Sequence, residues 1–177
     1  MIVVYIDTME DTSTFKTIYK DIECTILLNP KREEVVEILE QNPTETLLGF
    51  GHGGANGLFS SHEDELFVID KDMVPLLKNR EVIGIWCYAS QFGIKYNLKG
   101  FFTYMFISNV EEAISFCMKN WDREIIYSEN RRFADSINKF LKEKKPLCEW
   151  VDALNEDYSL MDFVEFNYSN LCYLDGE

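Results

Sequence analysis

Two side chains in this sequence could share a proton and attack a carbonyl carbon. One is the histidine in "LLGFGHGGANGLF" (residues 47–59), and the other is the cysteine in "EVIGIWCYAS" (residues 81–90). A thiol is a strong nucleophile only as the thiolate, and a neighbouring imidazole generates that form near neutral pH by taking the proton and holding the ion pair. His52 and Cys87 are 87 − 52 = 35 residues apart, which is no obstacle, because such pairs meet in space rather than along the chain. Gly53 and Gly54 follow the histidine directly. Lacking side chains, they let a substrate backbone approach, Gly54 as a binding position and Gly53 as a donor. The Gly53 and Cys87 N–H groups together would form an oxyanion hole, in which a single donor is worth about 3 to 4 kcal/mol in enzymes.

Positioning these residues is the task of the flanking apolar runs. "ETLLGFG" and "EVIGIWC" are short and uncharged inside, as central parallel strands covered on both faces must be. Adjacent parallel strands lie roughly 5 Å apart, so the loops leaving them emerge side by side. "MIVVYID" and "ECTILLNP" read as further buried strands, joined by "STFKTIYKDI" with helical spacing at Phe15, Ile18 and Tyr19 and Ser13 as its cap. "KREEVVEILEQNP" presents Val35, Val36, Ile38 and Leu39 on one helical face and stops at Pro43. "LFVIDKDMVPLLKN" predicts a short strand running into a helix capped by Asp70 or Asp72.

After Cys87, "YASQFGIKYNLKGF" reads as a loop or helix start, "YMFISN" as a strand and "VEEAISFCMKNW" as an amphipathic helix. A long helix follows over "REIIYSENRRFADSINKFLKEKK", its last turns rich in lysine as the helix dipole favours. The C-terminal segment predicts a helix and a terminal strand. Alternating strands and helices make an α/β sheet of mostly parallel strands with helices on both faces, in one domain over residues 1–177. Chemistry in such sheets gathers outside the carboxyl ends of the strands.

The order of apolar strand, His-Gly, then a second apolar strand ending in Cys resembles the caspase-like cysteine peptidases of clan CD, and especially their bacterial CHAT-type branch. "GHGGANGLF" is similar to that branch's "GHG…GL" segment and "VIGIWCYASQFG" to its strand followed by "A-C-x-S-x-x-G". "LKGFFTYMFIS" is similar to the stretch in which a helix leads to the next strand. The resemblance spans about residues 46–108. It implies a caspase-like three-layer sandwich, His52 as general base, Cys87 as nucleophile, and cleavage of a peptide bond in a protein or peptide substrate. Trp86 stands where a small residue commonly precedes the nucleophile, and Tyr88-Ala89-Ser90 replaces the usual following residues. A non-cleaving relative that binds a basic partner through an acidic face is therefore the alternative, with a flavodoxin-like ligand-binding domain as a third reading. In this family an acidic pocket selects a basic residue before the scissile bond, and Asp7, at the end of the first strand, is the candidate for it.

Composition narrows the partners. A net charge of −14 excludes a nucleic-acid partner, since phosphate backbones are bound by clustered Lys and Arg. From Pro146 onward there is no Lys, Arg or His, while Glu149, Asp152, Glu156, Asp157, Asp162, Glu165, Asp175 and Glu177 accumulate, either as a solvated face or as a docking surface for a basic segment. No run approaches the roughly 20 apolar residues of a membrane helix and no signal peptide is evident, which places the chain in the cytoplasm without a membrane partner. Five cysteines without a CxxC pair suit free thiols. Cys24, Cys117, Cys148 and Cys172 read as packing residues. His62, in "SSHEDE", reads as a surface residue, and a zinc site with His52 and Cys87 would lack a fourth ligand. The glycine run fits neither the dinucleotide fingerprint nor the P-loop, so no metal and no cofactor is expected.

Overall fold

The computed structural model describes residues 1–7, 10–119, 121–156 and 161–176; the side chains of residues 10–13 are also outside the description. The chain opens with β1 (Ile2–Tyr5), a 3-10 helix (Glu10–Tyr19), β2 (Thr25–Leu28), α1 (Arg32–Gln41) and β3 (Leu47–Phe50). β4 (Gly53–Gly54), β5 (Gly57–Phe59) and β6 (Phe67–Asp70) follow, then a 3-10 turn (Lys71–Met73), α2 (Val74–Leu77) and β7 (Val82–Ile85). The remainder runs α3 (Ala89–Tyr96), β8 (Lys99–Thr103), α4 (Val110–Ser115), α5 (Arg123–Glu143), a 3-10 turn (Leu147–Glu149), α6 (Trp150–Asn155), α7 (Asp162–Ser169) and β9 (Leu171–Asp175).

Six strands make one sheet in the order β2-β1-β3-β7-β8-β9. All pairs are parallel except β8 with β9. Because successive strand residues point to opposite faces, the sheet divides the apolar side chains into two cores. Val3, Tyr5, Leu48, Phe50, Ile83 and Phe101 pack against the first 3-10 helix, α5, α6 and α7. Ile2, Val4, Leu47, Val82 and Phe102 pack against α1, α2, α3 and the small sheet. The result is the expected α/β sandwich of three layers, helices on both faces of a mostly parallel sheet. The second sheet, β4-β5-β6, is antiparallel and grows from the glycine-rich stretch, which reads as loop in the sequence. Gly57 there has φ +145° and a Cβ on it would stand 1.9 Å from the Ile69 oxygen, so only glycine fits.

Several elements differ from the sequence reading. The first 3-10 helix begins at Glu10, which puts Ser13 inside it rather than at its cap; the Ser13 side chain is not described. β2 is the edge of the sheet, and its Ile26 and Leu28 are exposed rather than buried. The strand after α3 covers residues 99–103 instead of "YMFISN". Asn97 in the left-handed region ends α3, and Gly100, whose Cβ would stand 1.8 Å from the Val82 oxygen, lets β8 close directly onto β7. Residues 104–109 are instead a loop pinned by buried amides. The Ile107 N–H donates to Asn167 Oδ1 (2.7 Å), Asn167 Nδ2 donates to the Ile107 oxygen (3.0 Å), and Asn130 Nδ2 donates to the Ser108 oxygen (2.8 Å).

α4 stops at Ser115, well short of the expected amphipathic helix, and the C-terminal segment holds two helices before its strand. Asp70 is the cap of the turn after β6, accepting from the Asp72 N–H. Cys117 and Cys148 are exposed, not packed; Cys24 and Cys172 are half-buried. Among the described residues of the acidic tail, Glu149, Asp152, Glu156, Asp162, Glu165 and Asp175 are exposed, while Asp157 and Glu177 lie outside the described residues. No helix among the described residues is long and apolar enough to cross a membrane.

Candidate functional site

β3 and β7 are hydrogen-bonded neighbours, with Phe50 opposite Ile85 at their carboxyl ends. The Gly51 N–H donates to the Ile85 oxygen (3.3 Å) one step further, so the two chains leave the sheet together. His52 and Cys87 then enter one pocket, lined also by Phe15, Ile85, Phe106 and Glu112. The turn that presents the thiol is sharp. Tyr88 sits in the left-handed region at φ 64°, a conformation costly for a bulky residue, and is held there by its N–H donating to the Tyr104 oxygen (2.7 Å) and by its ring meeting Tyr104 edge-on at 4.9 Å. Behind it, the buried Thr103 hydroxyl donates to the Trp86 oxygen (2.8 Å). The Cys87 N–H donates to no acceptor among the described residues.

The pocket is tight. Its free volume is about 20 Å³, little more than one water occupies. Cys87 Sγ lies 3.9 Å from the Phe106 oxygen as a weak donor. Burial pushes the thiol up to about 11; the Phe106 backbone offsets part of this, and the Glu112 charge adds to it. In this state Cys87 is a protonated thiol at neutral pH.

The remaining candidates separate from the pair. Gly53 belongs to β4, opposite Leu58 of β5, and packs on the indole of Trp86: a Cβ there would stand 2.3 Å from Trp86 Cδ1. Its neighbour Gly54 accepts from Trp86 Nε1 (3.3 Å). Neither glycine lines the pocket that holds the pair. Asp7 is also outside the lining; it pairs with Lys16 (2.9 Å), and its N–H donates to Asn29 Oδ1 (2.7 Å). His62 is half-buried, its Nε2 3.0 Å from the Asn29 oxygen. Among the described residues no group of three His, Cys, Asp or Glu is placed to hold a metal.

Glu112 is the site residue that sequence reasoning missed. It is the third residue of α4, whose cap Asn109 accepts from the Glu112 N–H (2.9 Å), while Glu112 Oε2 accepts from the Ser108 N–H (2.7 Å) and hydroxyl (3.1 Å). The segment "SNVEE" carries the signal, an Asn cap followed three residues later by Glu. That pattern places the carboxylate at a helix start but not beside a thiol. Neither protein-family models nor curated proteins compared with the chain give a match.

Proposed function

We propose that the protein is a cysteine endopeptidase of caspase-like type, in which His52 is the general base and Cys87 the nucleophile. The observation that carries this reading is the convergence of the two residues on one pocket from the carboxyl ends of adjacent parallel strands, the position where α/β sheets place their chemistry. In the reaction, the imidazole takes the thiol proton and the thiolate attacks the peptide carbonyl. The oxyanion is held by the Cys87 N–H and, after local rearrangement, by Gly53. The imidazolium returns its proton to the leaving amine, and water, deprotonated by His52, hydrolyses the thioester.

Two features set the conditions. The pocket is too small to admit a substrate side chain, so its walls must part, and opening removes the burial that keeps Cys87 protonated. The nearby Glu112 carboxylate supports a Lys or Arg before the scissile bond; Asp7, engaged with Lys16, is less well placed for that role. A non-cleaving interaction module is the second reading, favoured by the raised thiol pKa and by the packing of Trp86 against Gly53.

Fluorogenic peptides varied at the residue before the bond test the choice. Turnover should be greatest with Lys or Arg, absent in Cys87→Ala and reduced about 10²- to 10⁴-fold in His52→Ala. Hydrolysis no faster than that of Cys87→Ala for every peptide would favour the non-cleaving module.

A further inference from the structure

The ladder between β3 and β7 stops one rung short of the nucleophile. Rungs of a parallel pair run alternately from one strand to the other. The Gly51 N–H donates to the Ile85 oxygen (3.3 Å), so the next rung would run from the Cys87 N–H to the Gly51 oxygen. It is not made, because the Cys87 N–H donates to no acceptor among the described residues. Gly51, the residue after β3, stands at φ +146°. The break leaves a main-chain donor directed at the gap beside the chain leaving β3, where Gly51 and His52 line the pocket.

The direction of that donor is set from the other side of β7. The Trp86 oxygen belongs to the same peptide unit as the Cys87 nitrogen. It accepts from the hydroxyl of Thr103, at the end of β8 (2.8 Å), and from the Ala89 N–H (3.1 Å). A trans peptide is planar with its C=O and N–H opposed, and no peptide among the described residues is cis. β3 and β8 flank β7 on opposite sides, so a bond that draws the oxygen toward β8 turns the N–H toward His52. We propose, on the reading of the protein as a cysteine peptidase, that Thr103 is a positioning residue which holds the Trp86–Cys87 peptide so that the Cys87 N–H meets the oxyanion. Thr103 is fully buried and outside the pocket lining, and it acts only through that peptide.

Thr103→Val keeps the bulk and removes the donor, while the Trp86 oxygen retains the Ala89 N–H and is not orphaned. With the fluorogenic peptide that wild type cuts best, kcat should fall about tenfold, less than when an oxyanion donor is lost outright, with KM changed by no more than about twofold. Thr103→Ser should recover kcat to within about threefold of wild type, since the hydroxyl returns. Alkylation of Cys87 by iodoacetamide should be equal in all three proteins, because that reaction gathers no charge on a carbonyl oxygen. A further readout does not depend on turnover. Trp-Cys occurs once in the sequence, so isotope labels in the tryptophan carbonyl and the cysteine amide give one NMR cross-peak for this peptide. That peak should move in Thr103→Val and stay in Thr103→Ser. If the valine variant fails to fold, Thr103→Ala replaces it in each measurement. Three results with an active wild type would overturn the role of Thr103 alone: full kcat in Thr103→Val, parallel loss of hydrolysis and alkylation, or an unmoved cross-peak. A wild type that cuts no peptide would overturn the peptidase reading and this role together.

Discussion

Cys87 is the residue on which the chemistry turns, and its protonation can be read in two ways. Its folded-state pKa lies near 11, above the ordinary thiol value, mainly through burial. Between about pH 9 and 11 the unfolded thiol ionises while the folded one stays protonated, so the folded state binds more protons and its stability falls as pH rises. Wild type should thus lose up to about 3 kcal/mol across that interval from this group, and Cys87→Ala should lose correspondingly less in urea titrations at pH 8 and pH 11. A second measurement isolates the neighbour. Glu112→Gln removes the carboxylate charge while keeping an acceptor for Ser108, so iodoacetamide labelling of Cys87 at pH 9 should quicken severalfold. Unchanged labelling would mean that burial alone sets the thiol.

Among the elements, the turn after β3 is built around a contact that glycine alone allows. An added methyl on Gly53 overlaps Trp86 and also approaches the Gly57 oxygen at 2.8 Å. Gly53→Ala should cost about 1–3 kcal/mol by overpacking. In a cycle with Trp86→Leu, the combined loss should fall short of the sum by about 1 kcal/mol in denaturant titrations; strict additivity would place the clash elsewhere. The strands holding His52 and Cys87 were legible because buried parallel strands are short apolar runs with sharp polar ends. The strand predicted at "YMFISN" was not, because those residues are apolar yet their backbone bonds go to Asn130 and Asn167, far along the chain. β2 looked buried for a related reason. An apolar run records what a strand can bury and not whether a neighbour stands on its outer side. The β4-β5-β6 sheet escaped notice since its glycines meet β6 after a long polar loop.

The molecule as a whole carries a net charge of −14, and its acidic tail residues are spread over exposed positions of α6, α7 and β9. Self-repulsion of that size destabilises a compact state, and salt shortens its reach from about 30 Å at 0.01 M to about 8 Å at 0.15 M. The melting temperature should therefore rise over that range of sodium chloride. A flat or falling value would show that local ion pairs such as Arg32 with Asp70 outweigh the general repulsion. The placement of the pair at the carboxyl edge followed from fold class alone, whereas the depth of the thiol depended on Phe106 and Glu112, which arrive from beyond β8.

The antiparallel closure of the sheet bears on how the chain reaches this state. β8 and β9 are separated in sequence by everything between Thr103 and Leu171, and their pairing joins Lys99 to Asp175. Closing so long a loop comes at a large entropic disadvantage, which slows folding. Until it happens, the phenylalanines of β8 front an open hydrogen-bonding rim. Intermediates with that rim bare are the species most prone to stick to one another, so refolding yield should depend on how dilute the chains are when they collapse.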